Sequence, residues 1–393
     1  MKKLISLIAA AGLAVSATFT GIGQSGSLFA VADEGNNATL TQGCKSACLA
    51  DAFSGEIVYE ENSHERMPIA SVCKVMTLTL CLEAIEDGRL TPDDLITVSD
   101  RAAGMGGSQV FLQSGLEYPL SQLIKSIVVC SANDSCVAVS ECISGSEEQF
   151  VAEMNKRAEQ LGCNDTLFAN CTGLPKDTQY SCAADVAVMF SNLIKHDEYF
   201  NFSKIWLEDF THPDNRTTSM TNTNKLIRKY AYCDGGKTGF TNEAGFCLAA
   251  TAKKDNMRLV SVVLGGSTSD DRFNSTISLF NYGFANYKNK IVLDQSVNLN
   301  EKVSVSMGKK EAIAVRPERN CYVFSANNQT PEITFNVILN TVKAPVSKGD
   351  GVGQIEVYKN GVIYDTVNLI SAEDAPKANY MDNLGKIADN WCW

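Results

Sequence analysis

The chain has 393 residues, enough for two ordinary domains, and its composition is globular: 45% hydrophobic and 20% charged. The net charge of -11 removes any electrostatic reason to bind nucleic acid, and no Lys/Arg-rich run overrides it. The histidines His64, His196 and His212 have no ligand-like spacing and no Cys-x-x-Cys is present, so no metal and no organic cofactor is expected.

The N-terminus reads as a secretory signal peptide over residues 1–32. Lys2 and Lys3 open it, Leu4 to Phe19 is apolar, and Ala30-Val31-Ala32 has cleavage spacing before Asp33. Its apolar core is short for a bilayer span, and no later segment is long and apolar enough for another. An exported chain with 14 cysteines invites disulfides. Cys73, Cys81, Cys130, Cys136, Cys142, Cys182 and Cys247 nevertheless sit in apolar helix or strand patterns, which predicts free buried thiols. Cys44 and Cys48 are the pair best placed to depart from that.

Cys48–Ala50 and Ile57–Tyr59 read as short strands. A helix runs from Ser71 to about Asp87, apolar on every side and therefore buried, and stops at Gly88. Helical spacing returns over Leu120–Val129 and Cys136–Ile143, with Ser131-Ala132-Asn133 connecting them. Ser146 and Gln149 predict a capping box for a helix ending near Leu161, and Cys182–Ile194 predicts another helix. Gly245–Thr251 and Leu259–Leu264 read as strands, followed by a helix over Phe273–Phe284. A boundary is placed near residue 290, with a catalytic domain over 33–290 and a β-rich domain over 292–372 that contains an Asn360-Gly361 hairpin signal. Residues 376–393 predict an amphipathic helix, with Tyr380, Leu384, Ile387 and Trp391 on one face.

Three motifs carry chemistry. Ser71-Val72-Cys73-Lys74 places Lys74 over Ser71 on one helix face. A serine hydroxyl is a weak nucleophile until a base takes its proton, and a lysine can be that base if burial and a neighbouring cation lower its pKa. Ser131-Ala132-Asn133 supplies a serine to relay a proton and an amide to hold substrate backbone. Lys237-Thr238-Gly239 supplies a cation and a hydroxyl for a carboxylate, and a glycine that admits a close substrate strand. Ser306-Met307-Gly308-Lys309 and Ser325-Ala326-Asn327 repeat the first two patterns in strand-like sequence, with no Lys-Thr-Gly after them; they are read as chance. No histidine lies near a motif, which disfavours a Ser-His-Asp triad.

The motif set resembles the penicillin-binding and serine β-lactamase superfamily. The flanks, Pro68 to Thr77, Ser131 to Asp134, Asn222 to Leu226 and Asp234 to Thr241, are similar to the low-molecular-mass D-alanyl-D-alanine carboxypeptidases. The resemblance implies an α+β fold: a β-lactamase/transpeptidase-like domain, an antiparallel sheet with a helical cluster, followed by a small all-β domain. It implies removal of the terminal D-alanine from peptidoglycan stem pentapeptides through an acyl-enzyme on Ser71, with β-lactams as covalent inhibitors. It also implies an oxyanion hole from the Ser71 and Phe240 N–H groups, and a carboxylate held by Lys237, Thr238 and Arg272, although Arg272 also reads as an ordinary exposed helix charge. The expected location is outside the cytoplasm, at the outer membrane face or in the cell wall. Two alternatives stand beside this: a serine β-lactamase, and a catalytically inactive peptidoglycan-binding protein. Between Ser131 and Lys237 no Glu has an Asn four residues later, the arrangement class A β-lactamases use for deacylation, and the intact motif residues argue against an inactive protein.

Overall fold

The computed structural model describes residues 40–391, with side chains as far as Gly385; the expected signal peptide, Cys392 and Trp393 lie outside the described residues, and the Trp391 side chain is not described. Five antiparallel strands form the central sheet, in the order Ile57–Glu61, Ser46–Asp51, Met257–Gly266, Gly245–Lys254, Cys233–Thr241. The middle strands are apolar on both faces because both faces are covered. Helix Ser269–Asn286 packs on one side, with Phe273, Leu279 and Phe280 in its core. Helix Ala183–Leu193 packs on the other, in the larger core. Thr268 caps the former with Asp271 in a capping box.

At the centre of the helical cluster is Lys74–Glu86, whose residues from Lys74 to Leu82 are all buried. Leu120–Cys130, Asn133–Ser144 and Glu147–Gln160 surround it. Ser146 caps the last of these by accepting from Gln149 N, one half of the expected capping box.

The boundary expected near residue 290 is crossed by a strand. Tyr287–Leu293 follows the long helix directly and pairs with Cys321–Ala326. Its alternation of polar and apolar residues is weak, so the sequence alone does not show the strand running across that boundary. A six-stranded sheet completes the C-terminal part, with its own apolar core. Its Gly351–Lys359 and Val362–Ser371 hairpin turns at Asn360 and Gly361, both at positive φ, as an Asn-Gly turn requires. The terminal helix is Tyr380–Trp391, and Lys309 reaches its Asp382 at 3.5 Å. Every described cysteine is unpaired, Cys44 and Cys48 included. No described helix is long and apolar enough to cross a membrane.

Candidate active site

The expected helix start at Ser71 is a tighter turn: Ala70–Cys73 is 3₁₀ and passes into the α-helix at Lys74. Ala70, just before the serine, has φ 48°, a conformation unfavourable for a residue with a Cβ. The Ser71 peptide lies between two glycines. A Cβ on Gly173 would sit 2.0 Å from Ala70 O, and one on Gly239 would sit 3.1 Å from Ser71 N. Both clashes show how closely the backbones approach there. Gly173→Ala is therefore expected to lower penicillin acylation by about 10²-fold by displacing the serine, with roughly 1–3 kcal/mol of destabilisation. Stopped-flow acylation and thermal unfolding would check this; wild-type rates would show the contact to be unimportant.

Lys74 is fully buried. Its Nζ donates to Ser71 Oγ at 2.9 Å, to Asn133 Oδ1 at 2.7 Å and to the Thr172 carbonyl. Asn133 Nδ2 donates one of its two N–H bonds to Gly106 O at 2.7 Å and keeps the second. Through Oδ1 the same amide also orients Lys74. Ser131 caps helix Leu120–Cys130 in a left-handed conformation, φ 65°, which aims its hydroxyl at the third motif. Lys237 Nζ donates to Ser131 Oγ at 2.9 Å and to Thr238 O at 2.9 Å. Burial, and then the Lys74 cation, push the Lys237 pKa well below its ordinary value.

Lys237, Thr238, Gly239 and Phe240 lie on the edge strand of the sheet, so one strand edge is free of a sheet partner among the described residues. Thr238 Oγ1 lies 2.7 Å from Thr223 Oγ1, which brings the Asn222-Thr223-Asn224 segment under the site. The Phe240 ring is half exposed and stacks on Phe246 at 4.3 Å.

Arg272 is not an exposed helix charge. It is 8% exposed and its guanidinium lies 5.2 Å from the Phe246 ring centre and 4.9 Å from that of Phe273. Nη1 donates to Gly239 O at 3.1 Å and Cys247 O at 3.3 Å, and burial lowers its pKa to about 10. It supports the Lys-Thr-Gly strand from the sheet side through Nη1, while its Nε–H has no hydrogen-bond partner among the described residues.

The second motif set stays away. Lys309 pairs with Asp382, and Ser325 is buried on a strand of the β-rich region. His64, without ligand spacing in the sequence, does come within 4.8 Å of ligand atoms of Asp165 and Cys182. Asp165 is already held by Arg66 at 3.0 Å, and burial pushes the Cys182 thiol up to about 12.

Comparison with known proteins now decides the family. Residues 34–268 match the D-alanyl-D-alanine carboxypeptidase family, and residues 287–377 match the penicillin-binding protein 5 C-terminal domain. The chain belongs to the D-alanyl-D-alanine carboxypeptidase family. This carboxypeptidase is 34% identical to D-alanyl-D-alanine carboxypeptidase DacF of Bacillus subtilis, over 93% of this chain and 94% of that protein. It is 30% identical to DacA of Escherichia coli, over 91% of this chain and 90% of that one. Among solved structures, penicillin-binding protein 5 of Haemophilus influenzae matches with TM-score 0.65 and 28% identity, covering 85% of this chain and 98% of the other. The carboxypeptidase is therefore a serine hydrolase with a penicillin-binding fold and a C-terminal all-β part.

Sequence reasoning did not find the Asn170-Cys171-Thr172-Gly173 turn, whose carbonyl meets Lys74. An Asn three residues before a Gly is a turn signal, but nothing local says that the turn faces the nucleophile.

Proposed function

We propose that this carboxypeptidase releases the terminal D-alanine of peptidoglycan stem pentapeptides through an acyl-enzyme on Ser71, and that β-lactams acylate the same serine. The observation that carries this reading is the set of partners of Lys74. A neutral amine has two N–H bonds and one lone pair. Asn133 Oδ1 and Thr172 O accept only, so they take the two N–H bonds. The lone pair is then left for the Ser71 hydroxyl, 2.9 Å away.

Ser71 Oγ attacks the penultimate D-alanine carbonyl as its proton passes to Lys74. The oxyanion forms between the Ser71 and Phe240 N–H groups. The C–N bond breaks, and the departing amine takes a proton through Ser131, which Lys237 holds. Water then hydrolyses the ester. The substrate backbone lies along the edge strand beside Gly239, in the manner of an added strand. Lys237 and Thr238 face its terminal carboxylate, and Arg272 keeps that strand in place. D-Alanine release from a peptide ending in Lys-D-Ala-D-Ala tests the reading. Its absence from the folded protein, together with penicillin turnover, would favour a β-lactamase.

The sign of the pH effect follows from Lys237. Burial, and then the Lys74 cation, hold its pKa well below the ordinary lysine value of 10.5. A charged Lys237 faces the substrate carboxylate in this reading, so KM for the D-alanyl-D-alanine peptide is expected to rise as pH rises through a step well under 10.5; a KM that stays flat up to the ordinary lysine value would contradict it.

The protein acts outside the cytoplasmic membrane in this reading. Tyr380, Met381 and Leu384 expose apolar surface on the terminal helix, which supports attachment to the membrane surface. Deleting residues 376–393 is expected to move the protein from the membrane fraction to the soluble one. Unchanged fractionation would rule the anchor out.

A further inference from the structure

We propose that Asn170 is a positioning residue for the base: its carboxamide folds the Asn170–Leu174 turn that presents the Thr172 carbonyl to Lys74. The inference rests on the reading of Ser71 and Lys74 given above.

The turn has no regular secondary structure to shape it. The Asn170 side chain does so instead. Its Oδ1 accepts from Gly173 N at 2.7 Å, Thr172 N at 3.1 Å and Thr172 Oγ1 at 3.1 Å. Its Nδ2 donates to Leu174 O at 2.9 Å. One buried amide therefore fixes the Thr172–Gly173 peptide, which carries the Thr172 carbonyl, and the peptide before it. That carbonyl accepts from Lys74 Nζ and also lies 3.5 Å from Ser71 Oγ.

The turn is in turn held against the nucleophile's own segment. Cys73 Sγ donates to Asn170 O at 3.3 Å, and Thr77 Oγ1 to Cys171 O at 2.7 Å. Gln179 Oε1 accepts from Asn170 N at 3.1 Å, and Glu147 Oε1 from Cys171 N at 3.1 Å. These bonds fix where the turn sits. Among the described residues only the Asn170 side chain bonds Thr172 N and Gly173 N, and so it sets where the carbonyl between them points. With that carbonyl turned away, one N–H of a neutral Lys74 loses its acceptor and competes for Ser71 Oγ, so the lone pair is no longer reserved for the hydroxyl proton. Asn170 touches neither serine nor substrate in this account. It acts through Thr172.

The test compares Asn170→Ala and Asn170→Asp with the wild type and with Ser71→Ala. The readouts are the penicillin acylation rate against pH, D-alanine release, and equilibrium binding of Lys-D-Ala-D-Ala peptide in the Ser71→Ala background. Other titratable groups near the Lys74 amine are Lys237, Cys73 and Cys136, with Glu147 paired to Arg101; none of them is changed. Asn170→Ala is expected to lower acylation and kcat by about 10²-fold and to leave peptide binding as it was. Asn170→Asp keeps an acceptor for the three donors and adds a negative charge near the lysine pair, which favours the protonated amine. It is expected to recover part of the acylation, with the acid limb moved to higher pH. A folded Asn170→Ala protein with wild-type acylation would overturn the proposal. If that variant does not fold, Asn170→Asp decides: a profile superimposable on wild type overturns the proposal, and a limb at higher pH supports it. Covalent labelling that persists in Ser71→Ala would overturn the underlying reading of Ser71 as well.

Discussion

Ser71→Ala is expected to lose D-alanine release and penicillin labelling together, by about 10⁶-fold, as serine peptidases do when the nucleophile is removed. The competing nucleophiles are few and can be weighed. Cys73 lies two residues away, but its thiol is fully buried, donates to Asn170 O, and is pushed up to about 12 by burial. It cannot supply a thiolate near neutral pH. Ser131 is a stronger rival, since it has its own lysine at 2.9 Å. Its left-handed backbone aims the hydroxyl at Lys237, however, and it is buried where Ser71 is partly open. Label retained on Ser131 in the Ser71→Ala protein would show that the two serines had been assigned in the wrong order. The substitution removes one hydroxyl from a partly exposed site, so thermal stability should change little.

Lys74→Arg is expected to be as inactive as Lys74→Ala, each with acylation lowered by about 10²- to 10⁴-fold, the range general-base catalysis supplies. The pair of variants separates two roles. If Lys74 only provides positive charge near a developing oxyanion, arginine should serve in part. If it accepts the Ser71 proton, arginine cannot, because a guanidinium has no lone pair to offer and does not lose its proton in proteins. Acylation rates of the two variants, measured with a slow β-lactam, distinguish these. Substantial rescue by arginine would remove Lys74 from the role of base and leave Lys237, whose pKa is well below the ordinary value, as the candidate.

Much of this was legible in the sequence for identifiable reasons. The Lys74–Glu86 helix carries apolar residues on every face, and only a buried helix tolerates that. The Asn360-Gly361 turn and the Ser146 cap depend on local chemistry and were read correctly. The three motifs were found because their spacing is local, and the fold brings them together through the Lys74, Asn133, Lys237 and Ser131 contacts.

What escaped depends on distant contacts. Ala70 and Ser131 hold positive φ without being glycine, so no residue type announces the strain; tertiary packing imposes it. Arg272 looks like any helix arginine until the sheet places Gly239 O and Cys247 O beside it. The bonds of Asn133 to Gly106 and Lys74 join segments far apart in the chain, and no local pattern announces them. The Asn170 turn lies 101 positions from Ser71 along the chain, at Thr172, and no periodicity links the two. The strand Tyr287–Leu293 was missed because its apolar alternation is too weak to be seen without its partner, Cys321–Ala326.

The most direct test of the central claim is to trap the wild-type protein with penicillin, digest it, and find the peptide that carries the penicilloyl group. The account predicts a single ester-linked adduct on Ser71, formed with loss of D-alanine release. An adduct on Ser131 or any other residue, or full D-alanine release from protein that carries no adduct on Ser71, would contradict it.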